Sequence, residues 1–112
     1  MGLFNARRRR RVTGGGRTPD PRAVAYLEQW VAARRGVEAF VEPRTTVTEH
    51  TVVLVAHDGE WTRRRMPGPA AAYALGRRIG IPVYDVALVG YPQRMRDYTA
   101  RLTREAKRSQ RP

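Results

Sequence analysis

The chain contains no cysteine, which excludes a disulfide framework and any thiolate metal site and fits a reducing, cytoplasmic setting. Carboxylates are scarce: ten Asp and Glu stand against 22 Lys and Arg, for a formal net charge of +12. Lysine is scarcer still. Lys107 is the single one, a bias that a GC-rich genome can produce without selection for guanidinium chemistry. No apolar run approaches the roughly 20 residues of a membrane span. The opening MGLFNARRRRRV has charge without an apolar segment behind it, so no secretory signal is expected. Met1-Gly2 begins as a myristoylation signal does, but Ala6 stands where Ser or Thr belongs. Leu3 and Phe4 ahead of the arginines offer only a weak touch to an anionic membrane. With 112 residues there is room for one domain whose thin core buries roughly 60 % of the chain surface.

What is present is unevenly spread. Residues 1–17 carry six arginines and no acid, a charge of +6; residues 92–112 carry +5; the stretch 18–91 carries nine arginines against eight acids, only +1. The middle is a nearly neutral domain between basic ends. NARRRRRVTGGGR has nothing to bury and reads as a disordered Arg/Gly-rich arm over 1–17. Its three glycines lack the preceding strand and following Lys-Ser/Thr of a phosphate-binding loop, so they read as a linker.

Order is expected from Thr18-Pro19-Asp20, with Thr18 as N-cap and Pro19 at the first helical position. RAVAYLEQWVAARRG then places Val24, Leu27 and Val31 on one helical face, flanked by Ala23 and Trp30, and Gly36 stops the helix. VEAFVEP alternates and halts at Pro43, as a short edge strand would. TVTEHTVVLVAHDGEWTRRRM reads as a hairpin with Asp58-Gly59 in a type I′ turn, and the apolar run from Val52 to Ala56 as a strand covered on both faces. A second helix, AAAYALGRRIG, turns Ala72, Leu75 and Ile79 inward, with Gly76 permitting close packing. IPVYDVALVG reads as a fourth strand carrying Tyr84, Val86 and Leu88 on one face. Pro92 opens a third helix with the stripe Met95, Tyr98, Leu102 and Ala106. The expected fold is a single small α/β domain of order α-β-β-β-α-β-α, a mixed sheet with a central hairpin and helices packed on it. The compact core is placed at 18–91, and the basic C-terminal helix and tail at 92–112.

Few residues point to catalysis. His50 and His57 lie seven apart, so along one regular strand they face opposite ways and share no metal. Asp85 interrupts an apolar strand; it is either a buried carboxylate with a raised pKa or, the plainer reading, solvent-facing or paired with an arginine. No second carboxylate at a readable spacing completes an acid/base pair, and no metal or cofactor is expected.

The basic segments are more informative. Strand alternation puts Trp61, Arg63 and Arg65 on one face with Arg64 opposite. Aromatic rings and guanidinium groups on an open sheet face can stack bases and hold phosphates. The competing reading has Trp61 capping the core while the arginines pair with Glu38, Glu42 or Glu49. On the third helix, Arg101, Arg104, Lys107, Arg108 and Arg111 lie opposite Met95 with one acid among them. That face suits a polyanion; the stripe behind it is thin for membrane insertion.

The element order over residues 19–89 resembles the core of the restriction-endonuclease-like nucleases, in which a helix, a three-stranded meander, a helix and a further strand follow one another. That resemblance implies acids and a lysine on the hairpin strands. Here those stretches read TVVLVA and WTRRRM, with an apolar residue such as Val53 at the metal-binding Asp position and no Glu-x-Lys, so no catalytic residue carries over. The run GIPVYDVALVGYPQRMRDY resembles small uncharacterised basic proteins of high-GC actinobacteria, which implies no activity.

The expected function is therefore a non-enzymatic, nucleic-acid-associated protein, on RNA, ribosome or DNA, holding phosphate through Arg7, Arg8, Arg9, Arg10, Arg11 and Arg17, the Trp61–Arg63–Arg65 face and the third helix. The rival is a protein-interaction module whose basic tails meet an acidic partner. A degenerate nuclease-like or otherwise unrecognised enzyme comes third. A continuous basic and aromatic face joining Arg63–Arg65 to the third helix separates the first from the second; an apolar patch would favour a protein partner.

Overall fold

A computed structural model describes residues 18–110; the N-terminal arm with its six arginines, and Arg111, lie outside the described residues. Asp20 starts the first helix, α1 (Pro21–Ala32), by accepting the Arg22 amide on Oδ1 at 2.9 Å. The cap expected at Thr18 thus sits two residues later. Both Thr18-Pro19 and Asp20-Pro21 fit the cap-then-proline pattern, and the carboxylate also favours the positive end of the helix dipole. Leu27 and Trp30 are the buried residues of α1, with Val24 and Val31 packed beside them.

Four strands form one mixed sheet in the order β3-β2-β1-β4. β1 (Glu38–Glu42), β2 (Thr51–Val55) and β3 (Trp61–Arg65) run as an antiparallel meander. The chain then crosses over through α2 (Pro69–Ile79) to bring β4 (Val83–Asp85) parallel to β1. β1 is therefore interior, not the expected edge. Pro43 lies just past its end, where a missing amide removes no ladder hydrogen bond. β2 is central and covered on both faces, as its apolar run implied.

Period-two alternation sorts the meander into two cores. Ala39, Val41, Val52 and Leu54 meet Leu27 and Trp30 of α1 and Ala72 and Leu75 of α2 on one side. Phe40, Val53 and Val55 meet Met95 on the other. Gly76 lets α2 approach β4: a Cβ there would come within 2.1 Å of Val83 Cγ2.

Two local expectations are corrected. The hairpin loop has three residues, His57, Asp58 and Gly59: the Ala56 amide donates to the Glu60 carbonyl at 2.8 Å and the Gly59 amide to the Ala56 carbonyl at 2.9 Å. Gly59, at φ +95°, supplies the left-handed residue that follows such a turn in place of a two-residue type I′ loop. The fourth strand stops at Asp85, whose Oδ1 accepts the Ala87 amide at 2.8 Å and starts the short helix α3 (Val86–Val89). An Asp that can cap competes with strand extension, so Leu88 and Val89 are not strand residues; they are 83 % and 58 % exposed.

α4 (Gln93–Ser109) follows Pro92 and packs its first turns, through Met95, on the second face of the sheet. Met95 is its buried residue, and every described residue from Thr99 onward is exposed. No helix among the described residues is long and apolar enough to cross a membrane.

Candidate nucleic-acid interface

Strand register settles where the hairpin side chains go. Val55 pairs with Trp61, Val53 with Arg63 and Thr51 with Arg65, which puts Trp61, Arg63 and Arg65 on the α4 side and Arg64 on the α1 side. This face of the sheet is not open, because α4 covers part of it. Trp61 Nε1 donates to Thr99 Oγ1 of α4 at 3.2 Å. Arg63 is engaged by Glu42 in a bidentate pair, Nε to Oε1 at 2.7 Å and Nη2 to Oε2 at 2.9 Å. Glu42 also accepts from the hydroxyls of Thr51 and Tyr91. Burial alone would raise the Glu42 carboxyl, but Arg63, Thr51 and Tyr91 together outweigh it and hold the group at about 2. Arg63 thus spends its charge inside the fold.

The other core carboxylates are committed in the same way. Glu60 binds Arg34 through two hydrogen bonds of 3.0 and 2.8 Å, which raises the guanidinium's pKa further. Glu38 pairs with Arg94 at 2.8 Å and Glu28 with Arg78 at 2.5 Å. Asp20 and Asp85 cap helices, and Asp58 Oδ1 accepts the Glu60 amide at 3.0 Å. These acids are used up by fixed partners. Among the described residues, Arg65, Arg104, Lys107 and Arg108 form no ion pair.

On α4, residues 101–109 would extend about 13 Å at the helical rise, bearing Arg101, Arg104, Lys107 and Arg108 against Glu105 alone. Arg101 Nη2 donates to the Asp58 carbonyl at 3.1 Å, so the exposed half starts at the hairpin turn. Asp58 precedes Gly59, where a Cβ would strike the Arg94 carbonyl oxygen at 2.0 Å. Turn and helix are in direct contact.

No family model, curated protein or solved structure matches the chain. Any assignment therefore rests on the geometry alone.

α1 and the turn after it add Tyr26, Trp30 and Arg34 to this region. Tyr26 and Trp30 lie four residues apart in α1, a spacing that aligns them along one face and is the available signal. Arg34, two residues past the end of the helix, reaches back to them, its Nη1 donating to the Trp30 carbonyl at 3.2 Å. They lie beside the open edge strand β3. The Arg34 guanidinium sits 4.1 Å over the Trp30 ring, and Arg64 sits 3.7 Å over Tyr26. Tyr26 and Thr62 share a hydrogen bond of 3.0 Å across the gap between helix and strand. Trp61 joins this row to α4 through Thr99. Aromatic rings, stacked guanidinium groups and the exposed basic helix are thereby neighbours.

The histidines stay apart at the two ends of β2. His50 Nδ1 is buried without a hydrogen-bond partner, and His57 is exposed. Among the described residues no three His, Asp or Glu side chains gather as a metal site would need.

Proposed function

We propose that the protein binds nucleic acid through phosphate contacts and performs no chemistry on it. The observation that carries this reading is the outer half of α4: exposed, basic, unpaired, and rooted against the hairpin beside Trp61. A helix half that buries nothing gains little from its own fold, whereas four cations against one acid gain from a polyanion through counterion release. The hairpin strands, TVVLV and WTRRR, carry no carboxylate, which leaves the nuclease-like element order without its chemistry. The lack of cysteine fits a cytoplasmic place of action.

The test is affinity for RNA and DNA across a salt series, for the native chain and for Arg104→Gln/Lys107→Gln/Arg108→Gln. Loss of three phosphate contacts should weaken binding for every sequence and flatten the salt slope by about two to three. Equal slopes would remove α4 from the interface, and no binding at low salt would end the reading. A protein-partner reading has its own observation in exposed Leu88 and Val89 beside half-exposed Tyr84. If Leu88→Asp/Val89→Asp abolished capture of a specific protein and the α4 variant left it intact, that reading would take over.

A further inference from the structure

We infer that the protein prefers single-stranded nucleic acid and seats one unpaired base in the pocket between α1 and the open edge of β3; this rests on the nucleic-acid reading above. The pocket has a volume of about 420 Å³, ample for one nucleobase. Tyr26 and Trp61, both partly exposed, line its wall, and the buried Trp30 lies behind them under Arg34. Arg34, held by Glu60 and with its guanidinium carbon 4.1 Å over the Trp30 ring, adds a guanidinium plane, and such planes stack on bases as aromatic rings do. Gln29, exposed at the rim, offers an amide that can both donate to and accept from a base edge.

The charge of the surroundings selects among flat ligands. Arg34 and Arg64 each already occupy a ring face, and the Glu60 carboxylate is taken by Arg34. A cationic guest such as a methylated lysine would meet fixed positive charge and no free acid. A neutral heterocycle attached to phosphates meets neither objection, because its backbone can lie against Arg65 and the cations of α4. Trp61 joins the two parts, since its ring borders the pocket while its Nε1 is bonded to Thr99. A base inside a duplex is already stacked and paired, so only a single strand can deliver one here without unpairing.

The chain's two tryptophans both border this pocket, which makes intrinsic fluorescence a local reporter. Full-length protein is titrated with a 12-nucleotide oligouridylate, an oligothymidylate, an abasic strand of equal length and a duplex. The base-bearing single strands should quench tryptophan emission and bind about tenfold more tightly than the abasic strand, as expected for one stacked base. The uridine and thymidine arms separate RNA from DNA, which share this chemistry. Trp61→Leu should remove about that factor for the oligouridylate and leave abasic binding unchanged. Because Trp61 also packs against the sheet, Gln29→Ala is the second variant. It lies on the surface and should cost about threefold to fivefold, one base-edge hydrogen bond, with the circular dichroism spectrum unaltered. Equal affinity for abasic and base-bearing strands, with no quenching, would overturn the pocket while sparing the phosphate reading. Failure of every strand to bind at low salt would overturn both.

Discussion

Gly59→Ala should be among the most damaging single-methyl additions in this protein, and its cost can be worked from the contacts. Gly59 has φ +95°, a conformation that costs an L-residue about 1–2 kcal/mol. Its added Cβ would also lie 2.0 Å from the Arg94 carbonyl oxygen and 2.8 Å from Tyr98 Cβ. The first of these is helix backbone, so relief requires α4 to move off the hairpin, and overpacking of that kind costs about 1–3 kcal/mol. The sum is about 2–5 kcal/mol, a large part of the total stability of a small domain. At about 4–8 °C per kcal/mol for a domain of this size, Tm should fall by at least about 8 °C. Gly80→Ala is the control. Gly80 has φ +80° but nothing within 4 Å of its added Cβ, so it carries the conformational cost without the collision. Thermal denaturation followed by circular dichroism compares the two. A Gly59→Ala loss no larger than that of Gly80→Ala would show that α4 does not rest on the turn, and the interface built from that contact would be wrong.

Acid should find Glu42. Its carboxyl is held at about 2 against an ordinary 4.5, so its stabilisation is complete above about pH 4.5 and is lost as pH falls from there through 2. Glu42→Gln should lower stability at pH 7 and weaken the further loss on acidification, read as urea midpoints at pH 7, 4 and 3; an unchanged acid dependence would contradict the assignment. Met95→Ala should cost about 2–5 kcal/mol because Met95 is buried on the second face. Leu102→Ala, at a residue 48 % exposed, should stay within about 0.5 kcal/mol; equal losses would mean that the outer half of α4 is packed after all. Replacing Arg7 to Arg11 by Gln should leave Tm within about 2 °C, since that stretch of sequence offers nothing apolar to bury, and flatten the salt slope of nucleic-acid binding by up to about four. An unchanged slope would exclude those arginines from the contact.

Much of the architecture was legible before any coordinates, because period and punctuation act over a few residues. The helix around Leu27, the all-buried strand Val52–Ala56, the hairpin at Asp58-Gly59 and the close approach at Gly76 each follow from local pattern, as does the basic face of α4. Errors arose where two local rules competed. Asp20 and Thr18 could both cap α1, and Asp85 could either continue a strand or cap a helix. Pro43 argued for an edge strand, yet β1 is interior because α2 brings β4 back beside it, a pairing between residues more than forty positions apart. The site shows the same division. Composition alone placed the positive charge at the two ends of the chain. Only the fold decided that Arg63, Arg34 and Arg94 neutralise Glu42, Glu60 and Glu38, and that Tyr26 and Trp30 border the same pocket as Trp61. Ion pairs and stacked rings act over a few ångströms, and which side chains come that close is set by sheet register and helix crossing, to which neighbours in sequence are blind.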